Sequence, residues 1–94
     1  MPRISAARVR RNLGRRIGEL RVALDLTQEK LAERLKVSPR WLQSVEAGRE
    51  NLTIDTIVKI ANGLRTDVRA FFENASTPRP KRGRPRRVSG LSGT

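Results

Sequence analysis

Arg40, Gln43 and Ser44 stand at helical spacing, so on an α-helix they share one face. The planar end of arginine makes two hydrogen bonds to a guanine edge, that of glutamine two to an adenine edge, and a serine hydroxyl reads less strictly. A good bidentate contact of this kind discriminates between bases by about 1–3 kcal/mol. On spacing alone the same residues also suit a solvated helix face. Other chemistries fall away. The chain has no histidine and no cysteine, which removes an imidazole base, thiol chemistry, disulfides and an ordinary zinc site. Its acidic residues are scattered singly among basic ones, the pattern of solvated helix faces, so the chain reads as a binding protein with no cofactor and no metal rather than an enzyme.

Charge points the same way. The 94 residues carry 21 Lys and Arg against 9 Asp and Glu, a formal net charge of +12, and a surplus of that size calls for a polyanionic partner, first of all nucleic acid. A membrane surface would require a long apolar segment, a signal peptide or a lipidation signal, and none is found. The expected location is cytoplasmic, with nucleoid association when DNA is bound. Residues 77–94 hold 6 basic residues and no acid, half of the net surplus. Rich in Pro, Gly and Ser, with Val88 and Leu91 its isolated aliphatic residues, this stretch cannot bury a core and is expected to be disordered in isolation. The sequence therefore divides into a folded domain over 1–75 and a basic Pro/Gly/Arg-rich tail over 76–94.

The elements that must position Arg40 and Gln43 follow from apolar periodicity. Leu13, Ile17, Leu20 and Leu24 form one face of a first helix, with Ser5 as a plausible cap. Thr27 caps a second, short helix that buries Leu31, Ala32 and Leu35 and ends near Lys36. Ser38 followed by Pro39 starts a third, because a capping hydroxyl is joined to a ring whose missing N–H costs nothing at the first helical position. That helix buries Leu42 and Val45 and stops at Gly48; Thr53 caps a fourth with Ile54, Ile57, Ala61 and Leu64 inward, and Asp67 opens a fifth with Val68, Phe71 and Phe72. The expected class is all-α, a five-helix bundle. Only Lys36–Ser38 separates the second helix from the third, so the two must cross steeply, leaving Pro39, Arg40, Gln43 and Ser44 on an outer face able to enter a major groove.

Leu13 to Phe72 resembles the Cro/repressor-type helix-turn-helix family, also called the xenobiotic-response-element family. The likeness is carried by Thr27-Gln28-Glu29-Lys30-Leu31-Ala32, then Val37-Ser38, then Val45-Glu46-Ala47-Gly48-Arg49, in the order and spacing of the family pattern. The resemblance implies double-stranded DNA as partner, with Ser38, Pro39, Arg40, Gln43 and Ser44 at groove-reading positions. It implies phosphate contacts at Thr27, Gln28, Arg49 and Asn51, with Gln28 also bracing the recognition helix, an internal ion pair between Arg21 and Glu46, and a homodimer, for which Val58 and Phe72 are candidates. Lys36 and Arg65 stand where the family often has glycine, which implies left-handed backbone at both. Lys36 either faces phosphate or is solvated. Trp41 is read as packing.

Arg82-Gly83-Arg84-Pro85 in the tail resembles the AT-hook of chromosomal high-mobility-group proteins. Glycine lets the backbone lie in a narrow minor groove while flanking arginines meet its negative potential. A basic tail that adds only counterion release is the alternative. Arg3, Arg8, Arg10, Arg11, Arg15 and Arg16 form a second basic cluster, part phosphate contact and part solvation. The function expected is a sequence-specific transcriptional regulator, repressor-like. An architectural A·T-rich DNA binder led by the tail, or an antitoxin-type autorepressor with a protein partner, stand as alternatives.

Overall fold

The computed structural model describes residues 3–76. The proposed tail, with its AT-hook-like Arg82, Gly83, Arg84 and Pro85, lies outside the described residues. The described chain is helical, without strands: α1 Ala6–Ala23, α2 Gln28–Leu35, α3 Pro39–Glu46, α4 Ile54–Gly63 and a 3-10 helix Val68–Phe72. Each start is written in the sequence. Ser5, Thr27, Ser38 and Thr53 are extended, and their hydroxyls accept from the N–H three residues on, at Arg8, Lys30, Trp41 and Thr56. Asp67 does the same for the N–H of Arg69. That hydrogen bond first, and the nearby Arg69 guanidinium second, hold the Asp67 carboxyl below its ordinary pKa. The cap therefore contributes fully above about pH 4 and is lost as pH falls through the lowered pKa.

The fifth element is a 3-10 helix rather than an α-helix, and that difference decides which phenylalanine is buried. With about three residues per turn, neighbours on the chain point some 120° apart. Phe71 is fully buried, whereas Phe72, placed on the same helix and also a candidate for a homodimer contact, is 53% exposed. Ile54, expected inward, is 72% exposed because it is the first residue of α4, beyond the reach of the elements packed on that helix. Leu24, the residue that follows the end of α1, is exposed as well. The core that remains joins Leu13 and Ile17 of α1, Leu31, Ala32 and Leu35 of α2, Leu42 and Val45 of α3, Ile57, Ile60 and Ala61 of α4, Leu64 just after it, and Phe71. Trp41 packs against its edge, as do Leu26, Val37 and Leu52 from the connections.

The four α-helices end in one way. After α1, α2, α3 and α4 a residue with positive φ, respectively Asp25, Lys36, Gly48 and Arg65, turns the chain out of the helix. In each case its N–H reaches back three residues and the following N–H reaches back five, as with Lys36 to Glu33 and Val37 to Ala32. This double closure satisfies the last carbonyls of each helix. Three of the four positions tolerate a side chain. Gly48 does not, because a Cβ there would lie 2.8 Å from Arg11 Cα, on the backbone of α1. Gly14 serves the same contact from the other side: a methyl group would strike the Val45 carbonyl oxygen.

Two substitutions at equivalent turns should accordingly differ in sign. Lys36→Gly relieves left-handed strain and should raise stability by up to about 1 kcal/mol. Gly48→Ala adds that strain and a backbone clash, and should cost at least about 2 kcal/mol. Thermal or denaturant unfolding of both variants checks the contrast, and equal effects would refute the assignment of Gly48 to close helix packing.

Candidate nucleic-acid interface

Which side chains of α3 are exposed depends on how the helix is held. Leu42 and Val45 anchor its inner face in the core, which leaves Arg40 and Gln43 exposed and Ser44 half-buried on the outer face. Ser38 and Pro39 are exposed at its first turn. The Ser38 hydroxyl accepts from the Trp41 N–H at 3.0 Å and keeps its own proton to donate. Pro39 has no N–H and offers apolar contact alone.

At the far end of α3 the Glu46 carboxylate gathers three donors from two other helices. Arg21 donates from Nε at 2.7 Å and from Nη2 at 3.0 Å, a two-pronged pair, and Gln28 Nε2 donates at 3.0 Å. The third Arg21 nitrogen, Nη1, donates to the Leu26 carbonyl at 2.8 Å and so fastens the connection between α1 and α2. The ion pair is largely shielded, with side-chain exposures of 14% for Arg21 and 11% for Glu46. Gln28, expected as a phosphate contact, is half-buried and commits its amide N–H to Glu46.

The remaining phosphate candidates surround α3. Lys36 is exposed in the turn before it, Arg49 and Asn51 are exposed in the connection after it, and Thr27 is exposed at the start of α2. Because Gln28 reaches Glu46, the start of α2 lies against the end of α3 while the end of α2 runs directly into its start. Cationic or donor side chains thus stand near both ends of α3. The Thr27 hydroxyl accepts from the Lys30 N–H at 3.0 Å and keeps its own proton for another partner. One basic residue leaves the surface cluster altogether. Arg16 donates to the Ala70 carbonyl at 2.8 Å and pairs with Glu19 at 2.8 Å and Glu73 at 3.3 Å, so it clasps the 3-10 helix onto α1. Arg34 likewise donates to the Gly63 carbonyl at 3.0 Å and joins α2 to the end of α4. No sequence signal separates these structural arginines from solvated ones, because their acceptors are main-chain carbonyls distant in sequence. Among the described residues no group of His, Cys, Asp or Glu is placed to hold a metal ion, and no helix is long and apolar enough to cross a membrane.

Two short helices at a tight turn, the second braced from behind and bare in front, define a helix-turn-helix. Residues 12–71 match the model of the helix-turn-helix domain family, and the chain belongs to it. It is 35% identical over 75 residues, 80% of this chain and 65% of the relative, to an uncharacterized transcriptional regulator in the ATPase CF(0) region of Rhodospirillum rubrum. It is 32% identical over 71 residues to an uncharacterized HTH-type transcriptional regulator of Rickettsia conorii, covering 72% of this chain and 57% of that one. The chain thus spans 65% and 57% of the lengths of these two relatives. Among solved structures it resembles the restriction-modification controller protein C.AhdI from Aeromonas hydrophila, at 34% identity and a TM-score of 0.63, covering 66% of this chain and 94% of that chain.

Removing the carboxylate should loosen the whole interface. Glu46→Ala leaves Arg21 shielded without its partner and should cost about 2–4 kcal/mol, toward the lower part of the range for buried pairs because some water reaches it. Gln28→Ala removes one hydrogen bond and should cost about 1 kcal/mol. A double-mutant cycle by denaturant unfolding measures the coupling of Gln28 to Glu46, and strict additivity would show that these two groups do not act together.

Proposed function

We propose that the chain is a sequence-specific transcriptional regulator that binds double-stranded DNA and lays α3 in the major groove. The observation that carries this reading is the exposure of Arg40 and Gln43 on a helix whose opposite side is clamped by the core and by Glu46. A rigid support matters, because bidentate base contacts need the side chain's origin held in place. Arg40 and Gln43 are the base readers, Ser38 and Ser44 assist by hydrogen bonding, and Pro39 contributes apolar contact. Thr27, Lys36, Arg49 and Asn51 contact phosphate and set the register. Gln28 adds to this chiefly through the brace it gives α3. The transcriptional regulators and the controller protein to which the chain is similar support the assignment.

The regulator acts as a homodimer on paired half-sites about one helical turn apart. Ile54 and Val58 are one turn apart on α4 and both exposed, and Phe72 is exposed at the end of the 3-10 helix packed on α4. Apolar side chains left bare on that side favour a self-complementary contact. The protein works at the nucleoid in the cytoplasm, and repression follows from occupancy of a promoter. The 6 basic residues of 77–94, with no acid among them, serve as an anchor that strengthens binding to any sequence.

Selection from a randomised duplex pool should enrich a two-fold motif, and enrichment of asymmetric A·T-rich DNA would instead make the tail the reader. On the selected site, Arg40→Ala or Gln43→Ala should lower affinity by about 1–3 kcal/mol with little change on random sequence; equal losses on both would exclude direct readout. Phe72→Glu should shift the protein toward monomer in sedimentation and weaken site binding, and an unchanged sedimentation profile would remove this face from the interface. Deleting residues 77–94 should weaken binding to all sequences and flatten the salt dependence, and an unchanged slope would leave the tail no role on DNA.

A further inference from the structure

Arginines on α1 form a second basic surface that the reading helix does not use. Arg8, Arg11 and Arg15 follow one another at helical spacing on the outer side of α1, away from the buried Leu13 and Ile17. Arg11 and Arg15 line an open groove of about 950 Å³ together with the end of α3, at Glu46 and Ala47. Ala47 is exposed and falls on the same helical face as Arg40 and Gln43. The reading face therefore continues past the end of α3 onto Arg11 and Arg15. The bare Gly48 makes this continuity tight, since α1 packs against it at Arg11 and the exposed Arg49 follows directly.

Nothing in the described residues neutralises this stripe. None of Arg8, Arg11 and Arg15 has an ion-pair partner there, and Arg15 Nε is buried with no hydrogen-bond acceptor. The nearby carboxylates are taken: Glu46 by Arg21 and Gln28, Glu19 by Arg16 and Ser76. Like charges at these spacings repel, and Arg8 stands in the first turn of α1, where the helix dipole disfavours a cation. Folding alone gains nothing from such an arrangement. A polyanion lying across it would.

We propose that Arg11 and Arg15, with Arg8 beside them, bind the sugar-phosphate backbone of the duplex that α3 reads, outside the bases it contacts. The inference rests on the DNA-binding reading above. Continuity with the exposed face of α3 favours this occupant over a separate acidic partner, because one duplex can touch both surfaces together.

The test measures binding to a random-sequence duplex and to the selected site across a salt series, with Arg11→Gln/Arg15→Gln against the unaltered chain. Losing two phosphate contacts should reduce the slope of log Kobs against log salt by about 1.8 on both duplexes, at about 0.9 per contact. Between about 50 and 200 mM salt the unaltered chain should then lose roughly twelve-fold more affinity than the variant. Arg11→Lys/Arg15→Lys should keep the original slope. Arg69→Gln, at an exposed position of the 3-10 helix, supplies the control for net charge, and Arg11→Gln alone, with about half the effect, serves if the double variant is not folded by circular dichroism. An unchanged slope, or a change per charge no larger than that of the control, would overturn the inference while Arg40→Ala still separates selected from random DNA. Failure of the unaltered chain to bind any duplex would overturn the regulator reading and this inference with it.

Discussion

The carboxylate of Glu46 is the point on which the arrangement of α1, α2 and α3 depends. An anion at the end of a helix faces the negative end of the dipole and is unfavourable by itself. Here two nitrogens of Arg21 and the amide of Gln28 converge on it, and the unfavourable position becomes a joint between three helices. A planar guanidinium is suited to this role because it donates two parallel hydrogen bonds to the carboxylate and still has a third nitrogen for the Leu26 carbonyl. Burial raises the cost of leaving either charge unpaired, so the geometry is held more sharply than apolar packing would hold it.

A second constraint acts from the packing of α1 on α3. Gly14 and Gly48 each stand where a side chain would strike the other element's backbone, so the two chains meet at main-chain distance. This closeness brings the end of α3 against the arginine-bearing side of α1. It also explains why glycine appears at one of the four helix ends, while Asp25, Lys36 and Arg65 accept the same positive φ at a strain of about a kcal/mol each. The turn geometry is shared; the need for glycine is set by what lies next to it.

The arginines divide by what surrounds them. Arg16 and Arg34 reach carbonyls of other elements and act as clasps, Arg21 holds Glu46, and Arg40 is exposed on α3. Identical side chains thus carry structure in one place and charge for a partner in another. The net charge of +12 is a count over both kinds, and the part available to a polyanion is the part the fold leaves unpaired.

Local chemistry made most of the elements legible in the sequence. Hydroxyl caps at Ser5, Thr27, Ser38 and Thr53, proline at the first position of α3, and apolar residues at helical spacing act over a few residues, and the structure follows them. The resemblance to a helix-turn-helix family marked Arg21 with Glu46 and the face carrying Arg40 and Gln43. Long-range packing decided the rest. Ile54 and Phe72 have the composition of core residues, yet one stands beyond the packed end of α4 and the other is rotated outward by a three-residue turn. The clasp made by Arg16 and the glycine at 48 both depend on partners tens of residues away. The sequence by itself determined where helices begin and which face of each is apolar, because caps and periodicity are local. Only the tertiary structure decided which polar groups are consumed inside the fold and which remain exposed for a partner, because that depends on distances between elements that no local pattern encodes.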